Sequence, residues 1–261
     1  MSSLAQQPRS NQVAYMFQGE LVRARVRKPA LTATPVRPGG DRQAITHFSR
    51  RSRKHLLDTF AIMQWYGHTA TFITLTYHDD LPTAEQAKTH LRAFLKRVFR
   101  RFGEVPVVWR LEPQARGAWH FHLIAVDLPY YHWKECLKDW REVTGDPTIT
   151  NIKLEFCYTS KQVRCYVAKY VAKVAPQSNL DTAANLAADH FPGRFWGIEN
   201  RKNITWAQII EVISSTMDGL HDFKRAARRY WRGINRKGDA GFSLYVQNAE
   251  RWFEYLLFCL G

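Results

Sequence analysis

The stretch CYVAKYVAKV (165–174) carries two phenols and two ammonium groups at a spacing of four residues. On a helix, positions i, i+3, i+4 and i+7 share one stripe, and here they are Tyr166, Lys169, Tyr170 and Lys173. A phenol can act as a nucleophile and a nearby ammonium can stabilise its anion, so the stripe has the components of a nucleophilic site. The same spacing is typical of an amphipathic helix with packed tyrosines and solvated lysines, and the stretch alone leaves both interpretations open. Ser160 is predicted to cap its start.

A second group of chemical interest lies in the segment WHFHLIAV (119–126), where His120 and His122 flank Phe121. Side chains alternate along a strand, so both imidazoles should face one side of a sheet. Glu112 ends the preceding strand-like segment, and a hairpin turning through 113–118 would bring its carboxylate opposite the histidines. Two imidazoles and a carboxylate make a three-ligand metal site with open positions for a substrate oxygen and water.

The composition indicates a partner with many negative charges. The chain has 261 residues and a net charge of +15, which favours nucleic acid over other partners. No apolar run approaches the ~18 residues of a membrane helix, and the first residues lack the apolar core of a signal peptide, so we expect a cytoplasmic protein without a membrane partner. The four cysteines show no metal-binding spacing, which indicates free thiols.

The elements that must position these groups alternate between helix and strand. The segment TATFITLTY (69–77) is predicted to be a strand with Phe72, Thr74 and Thr76 on one face. Thr83 and Gln86 form a capping-box signal for a helix that runs to about residue 101. Strands are predicted over 105–112, 119–126 and 151–156, a helix over 130–143, and a further strand over 204–214 that would close the sheet. The mixture predicts an α+β fold with a mainly antiparallel sheet.

Three of these segments, in chain order, resemble the three motifs of the HUH endonucleases: FITLT (72–76), HFH (120–122) and YVAKYVAK (166–173). The resemblance is closest to the two-tyrosine rolling-circle replication initiators of small single-stranded DNA phages and related plasmids. FSRRSRKHLL (48–57), RGAWHFHLI (116–124) and GRFWG (193–197) resemble the segments that flank those motifs, so the likeness spans roughly residues 45–200. It implies a palm-like, ferredoxin-like sheet of five strands with flanking helices.

The resemblance also implies a reaction. A divalent ion, Mg²⁺ or Mn²⁺, would be held by His120, His122 and Glu112. Tyr166 and Tyr170 would be the nucleophiles that nick single-stranded DNA at a replication origin through a covalent 5′-phosphotyrosine. Such an enzyme starts and ends rolling-circle replication in a bacterial host cell. The lysines of the motif correspond to Lys169 and Lys173.

These inferences divide the chain into three parts. Residues 1–40 are predicted to form a basic, mostly irregular arm, residues 41–215 the endonuclease domain, and residues 216–261 a basic helical extension. Basic side chains outside the motifs are candidates for contacts with the DNA backbone. They are Arg50, Arg51, Arg53, Lys54, Arg97, Arg228, Arg229 and Arg232.

Two other functions fit parts of the sequence. A two-tyrosine transposase of an insertion element would use the same chemistry, and its natural DNA target would distinguish it from a replication initiator. A non-catalytic basic DNA-binding protein would form no covalent adduct and need no ion. No phosphate-binding loop of the type G-x-x-x-x-G-K-[ST] occurs, so we expect no nucleotide cofactor and expect a host helicase and DNA polymerase as partners.

Overall fold

The computed structural model describes residues 12–27, 45–78, 81–167, 192–214, 218–230, 242–246 and 249–260, together with Asn179 and Asp181. These residues form two compact units. The larger unit contains the described residues within 42–60 and 64–205, and the smaller one contains 12–27, 61–63 and those from 206 onward. None of the described helices combines the length and apolar character that a membrane crossing requires.

The described elements comprise nine strands and six helices, numbered here along the chain. The strands are β1 (Gln12–Gln18), β2 (Leu21–Arg27), β3 (Ala70–Thr76), β4 (Val107–Pro113), β5 (Trp119–Val126), β6 (Lys153–Cys157), β7 (Trp196–Glu199), β8 (Ile209–Ser214) and β9 (Phe242–Tyr245). The helices are α1 (Arg50–Ile62), α2 (Ala84–Phe102), α3 (Trp133–Thr144), α4 (Ser160–Tyr166), α5 (Asp218–Tyr230) and α6 (Ala249–Leu260).

The larger unit is built on a five-stranded sheet in the order β6-β3-β5-β4-β7, with every neighbouring pair antiparallel. The predicted α+β class with a five-stranded antiparallel sheet and flanking helices is confirmed. Strand alternation gives the sheet two different faces. One face carries the even-numbered residues of β3, β4 and β5, and it includes the polar groups of the motifs.

The odd-numbered face is apolar and lies towards two helices. Ile73, Leu75, Phe121 and Leu123 are all buried there. Tyr77, one residue beyond β3, contacts His90 of α2 and Trp140 of α3. The predicted capping box opens α2 and is confirmed, because Thr83 and Gln86 each bond to the other's backbone.

The smaller unit is a four-stranded antiparallel sheet in the order β8-β1-β2-β9, with α5 and α6 packed on it. Its core includes Tyr15, Phe17, Phe223 and Trp252. Phe223 contacts the other three rings edge-on, at centroid distances between 5.6 and 6.3 Å. The basic helix and the apolar terminal segment predicted from the sequence therefore cover one face of a second sheet.

This second sheet requires two corrections to the predicted organisation. Residues 12–27, assigned to an irregular arm within 1–40, form the hairpin of β1 and β2 around Gly19, whose φ is +55°. The strand predicted over 204–214 begins at Ile209 and pairs with β1, so it does not close the five-stranded sheet. The stretch 216–261 likewise contributes β9 to the second sheet and is not wholly helical.

Candidate active site on the five-stranded sheet

The two motif histidines lie side by side on the even-numbered face, as predicted. His120 is paired with Thr76 and His122 with Thr74 across β5 and β3. The two imidazole rings have centroids 4.6 Å apart and are inclined at 76°. Phe121 points to the opposite face and is fully buried, which orients the strand and aims both imidazoles the same way.

Glu112 joins the histidines from the neighbouring strand. The β4–β5 hairpin turns through Gln114 and Ala118, whose backbone groups are bonded at 2.9 Å, and Gly117 adopts φ +88° in the turn. This register sets Glu112 opposite His120, and its Oε2 lies 3.1 Å from Nε2 of His122. The hairpin predicted from the sequence therefore does bring the carboxylate to the imidazoles.

Burial and neighbouring charges set the protonation of these groups. Burial is the largest cause that lowers the pKa of His120, to about 3, and the charge of His122 acts in the same direction. Burial raises the pKa of Glu112, but the hydrogen bond from His122 and the charges of His122, Arg110 and His120 outweigh it, so the pKa lies below its usual value. At neutral pH the site therefore holds a neutral His120 and an ionised Glu112.

Each imidazole has a polar side chain at Nδ1. His122 Nδ1 lies 3.5 Å from Thr74 Oγ1, and His120 Nδ1 lies 3.2 Å from Gln114 Nε2. Arg116 Nε donates to Gln114 Oε1 at 3.3 Å, which favours this orientation of the amide. A lone pair on Nε2 of His120 requires the ring proton on Nδ1, so Gln114 would then have to accept that proton through its oxygen.

The donor types fit a divalent ion. Two imidazoles and a carboxylate suit first-row metals such as Mn²⁺, and open positions would leave room for phosphate oxygen. In the described part of the chain, no group of three His, Cys, Asp or Glu side chains already has metal-binding geometry. An ion held by His120, His122 and Glu112 would therefore have to replace the hydrogen bond between His122 and Glu112.

Arg110 connects the site to two flanking segments of the sequence. It is paired with His122 across β4 and β5 and is 1% exposed. Its guanidinium carbon lies 3.9 Å from the ring centroid of Phe48 and 5.6 Å from that of Phe195, and Nη1 donates to Phe195 O at 3.4 Å. FSRRSRKHLL and GRFWG thus supply an aromatic clamp on this arginine. Burial lowers its pKa to about 10.

Tyr166 lies on the same face of the sheet as the histidines. Its ring centroid is 3.8 Å from that of Phe72, and the planes are inclined at 31°. Phe72 is diagonal to His122 across β3 and β5, which corresponds to about 7–8 Å between the two positions. The cap of α4 is Thr159, in a capping box with Gln162, and not Ser160 as predicted. Tyr170, Lys169 and Lys173 lie outside the described residues.

The basic residues predicted to contact DNA occupy different places. Four are exposed on the first turns of α1, where Lys54 also pairs with Asp58 at 2.8 Å; they are Arg50, Arg51, Arg53 and Lys54. Helix α1 reaches the even-numbered face, because Ser52 Oγ accepts from Trp196 Nε1 at 3.0 Å. These four residues therefore share a helix with a contact to the site face.

The other basic candidates are not brought to this face by the described contacts. Arg97 bonds to Glu142 and lies 3.4 Å from Asp139, so it joins α2 to α3 on the far side of the sheet. Arg228 is half-buried in α5 of the smaller unit. Arg229 belongs to the same helix, but its side chain and all of Arg232 lie outside the described residues.

Sequence reasoning missed Lys153 and Glu155 of β6. Lys153 is paired with Thr74 and Glu155 with Phe72, so both belong to the even-numbered face. Their alternation in KLEFC was a signal for a shared face. Nothing in the sequence indicated that β6 pairs with β3, however, and so there was no reason to connect them with the histidines.

Residues 70–175 match a family of replication-associated proteins, described as the ORF2 type. The matched stretch is somewhat under half of the chain and runs from β3 beyond α4, so it contains the histidines, Glu112 and Tyr166. The match is consistent with a Rep-type replication initiator, a class expected to bind DNA. No curated protein and no solved structure matches the chain.

Proposed function

We propose that the chain is an HUH-type nickase and strand transferase that cuts single-stranded DNA at a replication origin and starts rolling-circle replication. The observation that supports this best is the shared sheet face of Tyr166, His122 and Glu112. A tyrosine stacked on Phe72 and an imidazole diagonal to Phe72 can address one phosphate bound between them. A non-catalytic DNA-binding protein has no need of this arrangement.

In the proposed step, Tyr166 Oη attacks the phosphorus of a phosphodiester. The new bond joins the phenol oxygen to the 5′ phosphate, and the bond to the 3′ oxygen breaks. The phenol proton leaves Tyr166, and the departing 3′ oxygen gains a proton to become a hydroxyl. The phosphodiester energy is retained in the tyrosine ester, so the same strand can be resealed.

A free phenol has a pKa of about 10, so Tyr166 needs help at neutral pH. The side chains of His120, His122 and Glu112 would hold Mg²⁺ or Mn²⁺. When bound, the ion would supply a Lewis acid that offsets charge on the phosphate oxygens. Arg110 adds a buried positive charge next to His122, and its Coulomb interaction favours the ionised form of Glu112.

The remaining members of the motif extend the proposal. Tyr170 would attack the regenerated junction while Tyr166 holds one DNA end, and the two could then alternate. Lys169 and Lys173 would stabilise the phenolates from one turn away on a helix. A host helicase and DNA polymerase would complete replication, since the chain lacks a nucleotide-binding loop.

The test uses the full chain and a single-stranded oligonucleotide library with a randomised centre. With Mn²⁺, we expect a covalent protein–DNA band that survives SDS, and sequencing of the recovered DNA would give the target. EDTA should abolish the band. Tyr166→Phe and Tyr170→Phe should each leave partial activity and the double variant none, whereas Tyr158→Phe, at a 70% exposed tyrosine just before α4, should match the wild type. Persistence of the band in the double variant would disprove the assignment of the nucleophiles.

A further inference from the structure

Lys153 lies in the same row of the sheet as His122. The row crosses three strands, with Lys153 paired to Thr74 and Thr74 paired to His122. Directly opposite residues on one face are about 4.5–5.5 Å apart, so Lys153 and His122 are separated by about 10 Å at their β-carbons. The intervening residue is a threonine, whose short side chain leaves space above the sheet.

Glu155 lies in the row of the sheet that Tyr166 covers. It is paired with Phe72, the residue on which the Tyr166 ring stacks. Lys153 and Glu155 form an ion pair along the edge strand β6. The pair therefore borders the strip of sheet between the tyrosine and the imidazoles, where a phosphate would have to lie for both to act on it.

The ammonium of Lys153 can exchange its present partner for a ligand. Its side chain is 53% exposed and that of Glu155 is 34% exposed, and exposed ion pairs contribute only about 0–1 kcal/mol. A lysine also carries its charge on a flexible four-carbon stem with three rotatable donors. Exchange of a carboxylate partner for a DNA phosphate would therefore cost little.

We infer that Lys153 binds the DNA phosphate between Tyr166 and His122, and that Glu155 holds its ammonium when DNA is absent. The identity of the ligand rests on the proposed function, whereas the cation and its position do not. Lys153 thus supplies a positive charge to the site from β6, on the side opposite to Arg110.

The sign of two substitutions tests this assignment. Binding of fluorescein-labelled oligothymidylate is measured by anisotropy in EDTA, with Tyr166→Phe as the background so that no cut occurs. Lys153→Gln should weaken binding about 3- to 10-fold and reduce the slope of log affinity against log salt by about 0.7. Lys153→Arg should retain both values. Glu155→Gln should strengthen binding about two-fold, because it frees the ammonium and removes a negative charge from the path of the backbone.

A surface ion pair of the same kind serves as the control. Lys202 and Glu104 are joined at 2.8 Å, with side chains 71% and 58% exposed, and Glu104 precedes β4 at the end of the sheet away from Glu112. Lys202→Gln and Glu104→Gln correct for the change in net charge. If Lys153 is only structural, breaking its pair from either side should change affinity in the same direction.

Two outcomes would overturn the inference: equal effects of Lys153→Gln and Lys202→Gln, or weaker binding by Glu155→Gln. Circular dichroism of each variant would identify a folding defect, and Lys153→Arg then decides the question. Failure of the proposed function has a different signature. In that case the wild-type chain forms no covalent adduct with Mn²⁺, whatever Lys153 does to binding.

Discussion

Gly197 is predicted to be essential for stability because its partner across the sheet occupies the space of a side chain. It pairs with Trp109 between β7 and β4, and an added β-carbon would lie 2.7 Å from Cε2 and Cζ2 of that ring and 2.8 Å from Nε1. Gly197 does not have a positive φ, so alanine is compatible with its backbone and the clash accounts for the whole effect.

The cost follows from what holds the Trp109 ring in place. The ring is 9% exposed, contacts Phe121 edge-on at 6.5 Å, and donates from Nε1 to Glu199 Oε1 at 3.2 Å. Displacement by Gly197→Ala should cost about 1–3 kcal/mol in packing, and loss of the hydrogen bond should cost about 1 kcal/mol. The expected total is about 2–4 kcal/mol, which lowers Tm by roughly 4–16 °C for a chain of this size.

Thermal unfolding of four variants measures this effect. Gly197→Ala is compared with Trp109→Leu and with the double variant, in which the smaller side chain leaves room for the methyl group. We expect the cost of Gly197→Ala to fall by at least about 1.5 kcal/mol in the Trp109→Leu background. Gly103→Ala is the control, because its φ of +83° causes backbone strain in open space. An equal cost of Gly197→Ala in both backgrounds would refute the steric explanation.

Three further predictions concern groups in and near the site. Gln114→Leu should weaken Mn²⁺ binding about 10- to 100-fold by calorimetry, and Gln114→Glu should preserve it, because the partner at Nδ1 orients His120; equal affinities would contradict that role. His120 has a pKa of about 3 when folded against 6.5 ordinarily, so in EDTA the wild type should lose stability as pH falls from about 6.5 to about 3. His120→Gln should lack that share of the loss, and identical pH profiles would exclude it. Iodoacetamide should label exposed Cys165 but not Cys136, whose pKa is raised by burial; peptide mapping would show the reverse if the helix packing is wrong.

Much of the candidate site was predictable because it depends on local periodicity. Alternation along β5 puts His120 and His122 on one face whatever the rest of the chain does, and the hairpin fixes Glu112 opposite. The start of α2 was equally local, since the capping box of Thr83 and Gln86 lies within four residues. The cap of α4 was misplaced by one residue because Thr159 and Ser160 both carry a hydroxyl.

The errors involve strand pairing between distant residues. The segment LVRARVR has the period of two that is typical of a strand, but its basic charge led to the prediction of an irregular arm. Strand β8 was recognised as a strand, yet its partner β1 lies almost 200 residues earlier, and no local pattern specifies such a pairing. For the same reason Lys153 was not connected with His122, since their proximity depends on the order of three strands.

The central claim is that Tyr166 and an ion held by the imidazoles lie close enough to act on one phosphate. Paramagnetic broadening by Mn²⁺ of ¹⁹F signals from fluorotyrosine tests this without DNA. The site is about 7–8 Å from Phe72, under the Tyr166 ring, whereas Tyr131 lies past the far end of β5, roughly 20 Å away. Stoichiometric Mn²⁺ should broaden the signal at Tyr166 far more than that at Tyr131, and His122→Ala should remove the difference. Equal broadening at both positions, or none at Tyr166 when Mn²⁺ binds, would contradict the account.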